Sequence, residues 1–316
     1  MRATRIMAIA KWALAIAAFG GLVLQPAGGQ SSNSKSSAAA KIPSVGAVDD
    51  AAKSSASGVA RTLKTAAEAL GLARWSGVGG QRLPEVDVIS TMEMWGSGTT
   101  FTPSPSNKPG EPGQPLKTDY HAAIGYNPPA MRVELTRMVA GAPQHTIEVV
   151  RENYAWNESE IGAGLIPGKG VATPAMAAAN VRLLQLWTLP YGVIKAAVAA
   201  GDKTTNSTGK GATVIMFPLS GQLSGVMVRA TLDAQNEVAK VETRTENPAL
   251  ADLNTETEYS DYADHGEIAT DVKSPGHIVR KQGGHPVLDI KVKMLDANNP
   301  YLVFPVPQNV KMAAAH

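Results

Sequence analysis

The feature that most constrains this chain is a pattern repeated between residues 85 and 295: short runs of alternating apolar and polar residues, each ended by a cluster of turn formers. Successive side chains of a strand point to opposite faces of a sheet, so each run reads as a half-buried strand. EVDVISTMEMW sets Val86, Val88, Met92 and Met94 on one face, and KTDYHAAIGY sets Tyr120, Ala122, Ile124 and Tyr126. MRVELTRMV sets Met131, Val133, Leu135 and Val139 on one face and Arg132, Glu134 and Thr136 on the other. HTIEVVREN adds His145, Ile147 and Val149. TVIMF, SGVMVRATLD, EVAKVETRT, TETEYSDY, IATDV, GHIVRKQ and PVLDIKVKML continue the series. About eleven strands joined by short turns predict an antiparallel meander, not a βαβ sheet. Between the first two runs, Gly96 to Pro115 holds five prolines. Proline cannot sit in a central strand, so this stretch is expected to be a long surface loop.

Helical spacing appears in three places. Val59, Leu63, Ala66, Ala67 and Leu70 share a face over residues 59–73. Thr173-Pro174 reads as an N-cap and first-turn proline opening AMAAANVRLLQLW. Pro190 opens YGVIKAAVAA, which Gly201 ends. A half-buried sheet needs a cover for its apolar face, and the two central helices are the elements able to supply it.

The N-terminus has the make-up of an export signal. Arg2, Arg5 and Lys11 precede an uncharged run of 13 residues, Trp12 to Leu24, and Ala27 and Gly29 suit cleavage before Gln30. The run is shorter than the roughly 18–20 apolar residues of a membrane span. Residues 30–57 are rich in Ser and Ala and read as a flexible linker. The expected organisation is a signal peptide at 1–29, that linker, and one domain from 58 to 316, in a periplasmic or secreted protein with no transmembrane segment after cleavage. The chain has no cysteine, which excludes disulfides, thiolate metal sites and thiol catalysis. Its net charge is +2, and residues 1–29 carry three basic and no acidic groups, so the remainder is about −1. A near-neutral chain has no electrostatic footprint for nucleic acid.

Three stretches carry a resemblance. They are YAWNES (Tyr154 to Ser159), RLLQLWTLPYGVIKAA (Arg182 to Ala197) and YSDYADHGEIATDVKSPGHIVRKQGGHPVLDIKV (Tyr259 to Val292). They resemble the N-terminal domain that precedes the catalytic domain in some exported metallo-β-lactamase-fold hydrolases. That domain is similar in shape to the LolA/LolB lipoprotein carriers. The resemblance covers about residues 59–300. It implies a mainly β (α+β) fold: a strongly curled, antiparallel open half-barrel with helices covering its concave face. It carries no metal chemistry, because no His-x-His-x-Asp-His motif occurs in the 316 residues.

Half of the six histidines fall between Asp261 and His285. With Gly283-Gly284 as a two-residue hairpin turn, Gln282 pairs with His285, Arg280 with Val287 and His277 with Ile290. His277 and His285 are then roughly 17 Å apart along the strands, too far to share a zinc ion whose bonds are about 2.0–2.1 Å. That register sets His277, Val279, Leu288, Ile290, Val292 and Met294 on the apolar face, with Arg280, Asp289, Lys291 and Lys293 opposite. His277 is then a hydrogen-bonded core histidine. Asp261, Asp264, His265 and Glu267 read as an acidic turn, so no metal and no cofactor are expected. GLIPGKG (Gly164 to Gly170) is one residue short of a phosphate loop and ends in Gly, not Ser or Thr. GQLSG (Gly221 to Gly225) lacks the serine of a nucleophile elbow, and HTIEV lacks the second histidine of a zinc helix.

With no catalytic constellation legible, the functional expectation is a non-enzymatic binding module. It would hold an apolar or amphipathic ligand, such as a lipid or acyl chain, between sheet and helices. Trp156, Leu183, Leu186, Trp187, Tyr191, Ile194 and His277 are the candidate ligand-binding residues. The alternative is an accessory domain that docks a partner envelope protein or hydrolase through a sheet edge.

Overall fold

The computed structural model describes residues 58–72, 89–102, 113–209, 211–246, 253–264 and 272–314. The expected signal peptide and linker lie outside them, as do Val86, Val88, His265, Glu267 and all but the last residue of the expected strand IATDV. A helix over residues 58–69, α1, buries Val59, Leu63, Ala66 and Ala67. The first meander follows: β1 (Thr91–Thr102), β2 (Gln114–Tyr126), β3 (Pro129–Val139), β4 (Ala142–Arg151), β5 (Tyr154–Glu158) and β6 (Ala172–Pro174). Two helices come next, α2 (Ala179–Trp187) and α3 (Pro190–Ala200). The second meander has β7 (Thr205–Gly209), β8 (Ala212–Pro218), β9 (Val226–Leu232), β10 (Val238–Thr245) and β11 (Thr255–Ser260). The short strands β12 (Ala263–Asp264) and β13 (Lys273–Ser274) pair only with each other, and β14 (His277–Gln282) and β15 (His285–Ala297) close the series before α4 (Gln308–Ala313).

Thirteen strands form one antiparallel sheet in the order β6-β5-β4-β3-β2-β1-β15-β14-β11-β10-β9-β8-β7. Neighbouring runs pair in sequence, as the meander predicts. The long-range pairing of β1 with β15 joins the two halves. The sheet is larger than expected because β5, β6 and β7 are only three to five residues long, too short for alternation to show. Neither sheet is strongly curled or closed, which corrects the expectation of a strongly curled half-barrel. The physical reason is layering: helices laid over one face of an open sheet hide its apolar side without closure.

Two local readings also change. Gly96 to Pro115 is not one long loop, since β1 runs on to Thr102 and β2 starts at Gln114. Gly96 sits where β15 comes closest, and a Cβ there would lie 2.6 Å from the Lys291 carbonyl oxygen. Glycine in a strand marks such an approach, not a break. Thr173-Pro174 is not a helix cap either. Pro174 and Thr173 pair with Trp156 and Asn157 in the edge strand β6, where a missing N–H is tolerated. By contrast, α3 starts at Pro190 and is capped by Gly201 at φ 56°.

The chain leaves edge strand β6, passes through α2 and α3, and re-enters at the opposite edge, β7. The helix pair turns by 94° at Thr188-Leu189. Gly192 permits that turn, because a Cβ there would lie 3.0 Å from the Trp187 Cα. Leu186, Tyr191, Val193, Ile194 and Ala197 pack with α1 and with Met92, Met94, Ile124, Ile215, Phe217 and Val228 of the sheet. A smaller apolar cluster lies on the other face, where Ala123, Ile147, Val149 and Trp156 sit under Phe304 and Val310 of the C-terminal segment. Neighbours in the strands separate cleanly, with Val150 and Ala155 in the first cluster and Val149 and Trp156 in the second. No single helix among the described residues is long and apolar enough to cross a membrane.

Candidate functional site

The Gly283-Gly284 turn forms as the sequence predicts, with Gln282 opposite His285 and both glycines at positive φ. Beyond it the register differs. Lys281 pairs with Pro286, and Arg280 pairs with Leu288, so Val287 is an extra residue in β15. Such a bulge flips the phase of one strand against its partner. Ile278, not His277 or Val279, becomes the fully buried position, and Arg280 turns to the helix-covered face. His277 faces the other way, opposite Lys291, with Nε2 2.7 Å from Asp289 Oδ1. The expectation of an apolar-side His277 is therefore corrected. A second bulge, at Trp95/Gly96 against β15, moves Met294 outward and leaves Leu295 buried.

Arg280 opens onto a cavity of about 240 Å³ between α2 and the sheet. Its apolar lining includes Tyr120, Val133, Leu135, Leu184 and Leu288. Polar groups converge on it from both sides: Arg137 on β3, Arg280 on β14, Thr100 on β1, and Gln185 on α2. Arg137 is held by hydroxyls. Its Nε donates to Thr100 Oγ1 at 3.1 Å and its Nη1 to Thr146 Oγ1 at 3.2 Å. Thr118 Oγ1 donates to the Leu116 carbonyl at 2.8 Å, so its contact with Thr100 Oγ1, also 2.8 Å, has Thr100 as the donor. The chain of donors runs from Arg137 through Thr100 and Thr118 to a main-chain oxygen and fixes the guanidinium at the rim. Arg280 makes no ion pair with a described residue, and its charge is felt at Tyr120. Burial pushes the Tyr120 phenol up, and Arg280 partly offsets that rise. Glu148, the carboxylate on this lining, stands 3.7 Å from Arg182 Nε.

This arrangement offers donors and cationic groups but no general base beside a nucleophile. Arginine does not release its proton in a protein, so the two guanidiniums can offer positive charge and hydrogen bonds there but not a proton. A cavity that mixes an apolar wall with polar side chains in about equal number has the amphipathic character of a site where an apolar group meets a polar one.

The sequence-predicted residues divide. Leu183 and Trp187 line a separate cleft of about 550 Å³ on the other side of α2, bounded by Ala196, Ala200, Lys203 and the turn Pro218 to Gly225. Leu186, Tyr191 and Ile194 are fully buried among other side chains. Tyr191 donates to the Lys273 carbonyl, and Tyr259 donates to the Thr188 carbonyl at 2.6 Å, which ties the helix joint to the sheet. Trp156 is on the opposite face, donating from Nε1 to Glu158 Oε1 at 2.8 Å. Trp156 and His277 are thus not brought together with the helix residues. Arg137 and Arg280 are the pair that pattern reading missed. One signal was present: in MRVELTRMV, Arg137 falls on the apolar phase set by Met131, Val133 and Leu135.

Among the described residues no group of three His, Asp or Glu side chains stands close enough to hold a metal ion. GLIPGKG forms turns that lead into β6, not into a helix. Comparison of the chain with protein-family models and with curated proteins finds no match.

Proposed function

We propose that this chain is an exported, non-catalytic binding module that holds an apolar or amphipathic small molecule between its sheet and α2. The observation that carries the reading is the cavity of about 240 Å³, walled by Tyr120, Leu135, Leu184 and Leu288 and rimmed by polar groups. Binding there would be driven mainly by apolar contact, at about 0.8 kcal/mol for each methylene buried. The basic start and short apolar run of residues 1–24 support a periplasmic or secreted location. Kinship with the LolA/LolB-like accessory domains belongs to this proposal and rests on the three quoted stretches.

The test is a titration with a fluorescent fatty-acid analogue. Val181 lines the cavity yet is more than one-third exposed, so Val181→Arg should block the mouth without unfolding the chain. Saturable binding to the parent and its loss in Val181→Arg are expected. Absence of saturable binding by every amphipathic probe would remove this reading.

The second reading is an accessory module that docks a partner envelope protein. It is favoured by the polar, exposed edge strand β7 and by exposed Ile166 and Val171, at 59% and 66%, in the turn-rich segment before β6. Crosslinking from Ile166 would then trap a protein, while cavity variants would change nothing.

A further inference from the structure

We infer that the cavity under α2 selects a single-chain amphiphile with an anionic head, held between Arg137 and Arg280. This rests on the binding-module reading and adds the chemistry of the ligand. Two guanidiniums line one small cavity, and neither pairs with a carboxylate among the described residues. Arg137 spends two donors on threonine hydroxyls and keeps the rest of its five. The Thr100–Thr118 relay orients it in advance, so little ordering is needed when an anion arrives. Arg280 comes to the same face from four strands away, because Arg280 pairs with Leu288 and Leu288 with Thr100. Tyr120, Leu135, Leu184 and Leu288 line the same cavity and suit an alkyl chain. Glu148 does not cancel the rim, since Arg182 already stands beside it.

Size narrows the class. About 240 Å³ is below the roughly 300–1,000 Å³ of ordinary ligand sites. The cavity therefore takes a head group and a short or medium chain, not a two-chain lipid. A carboxylate or phosphate monoester head accepts several N–H bonds from arginine, whereas an alcohol of the same chain length does not.

The experiment compares decanoate, decyl phosphate, 1-decanol and inorganic phosphate as competitors of the fluorescent fatty-acid analogue on the full chain. Decanoate and decyl phosphate should compete at least about tenfold better than 1-decanol, as expected for charge-assisted bonds in a partly dry site. Arg280→Gln should reduce the two anions by about tenfold and leave 1-decanol unchanged. Arg137→Gln should act likewise, and its circular dichroism reports whether the sheet survives. Equal competition by decanoate and 1-decanol would overturn the anion inference and leave the binding module standing. Inorganic phosphate competing as well as decyl phosphate would also overturn it, leaving a simple anion site. Failure of every amphiphile would overturn both.

Discussion

Arg182 of α2 donates from Nη1 to the main-chain oxygen of Trp156 at 2.8 Å. The same nitrogen reaches the Val149 carbonyl at 3.0 Å, and Nη2 donates to Asn157 Oδ1 at 2.6 Å. One helix side chain, 7% exposed, thus satisfies acceptors in both β4 and β5. Burial pulls its pKa down from the usual arginine value, and the nearby Glu148 carboxylate opposes that pull. Arg182→Met would leave these acceptors unpaired, so a loss of about 2–4 kcal/mol in urea unfolding is expected. Arg182→Lys should recover only part of it, because an ammonium lacks the planar fork. A neutral Arg182→Met variant would show that the apolar layer alone holds α2.

The outer face of the sheet carries a pH-sensitive ladder. His121 Nδ1 lies 3.0 Å from Glu134 Oε1 and Nε2 lies 3.2 Å from Glu93 Oε1. Its ring stacks on Trp95 with centroids 4.8 Å apart. Burial pulls the histidine pKa down, but the bonds to Glu134 and then Glu93 outweigh it, and the value ends above the ordinary 6.5. The bond from His121 holds Glu134 below its ordinary 4.5. The histidine's contribution is whole below pH 6.5 and is lost as pH rises through the raised value. The glutamate's contribution is whole above pH 4.5 and is lost as pH falls through the lowered value. Denaturation midpoints of the parent and His121→Gln should therefore differ most between pH 4.5 and 6.5 and converge in alkali. A gap that stays constant from pH 5 to pH 9 would sink this account.

Phe304 covers the second apolar cluster, 3.2 Å from where a Cβ on Gly125 would stand. Phe304→Ala should cost about 3–5 kcal/mol if the cluster does not collapse around the void. It should also open a path for water toward buried Trp156, moving tryptophan emission to the red. An unshifted spectrum with full stability would mean that the C-terminal segment lies on this face without supporting it.

The two meanders meet at β1 and β15, and Gly96 makes that contact possible. Gly96→Val would force a side chain against the Lys291 carbonyl and Ile290. Overpacking of this kind costs about 1–3 kcal/mol, and a strand carbonyl cannot rotate away. Hydrogen exchange should quicken in β1 and β15 before it does in β8 and β9. Uniform acceleration across the sheet would instead mark a global effect.

Several elements were legible because their causes are local. Pro190 and Gly201 bound α3 by their own backbone limits, and Gly283-Gly284 makes the turn that seats Gln282 opposite His285. The alternation at Met92, Met94, Ile124, Met131 and Leu135 placed these side chains on the inner face, and all five are buried. Thr173-Pro174 misled because a cap and an edge strand ask for the same residues. The arginine pair escaped notice because its two members are 143 positions apart in the sequence.

What the sequence by itself determined is most of the longer strands, their antiparallel order within each meander, and the α3 boundaries. These follow from side-chain periodicity and from the fixed torsions of proline and glycine. Only the tertiary structure decided which face Arg280 takes, because one extra residue at Val287 reverses strand phase and nothing in the local composition announces it. Tertiary structure also decided that β1 pairs with β15, that Trp156 and Trp187 lie on opposite sides of the sheet, and that the C-terminal segment covers the outer face. Those outcomes depend on pairings and packings between distant parts of the chain, where many registers satisfy the same local pattern and only the fit of the whole selects one.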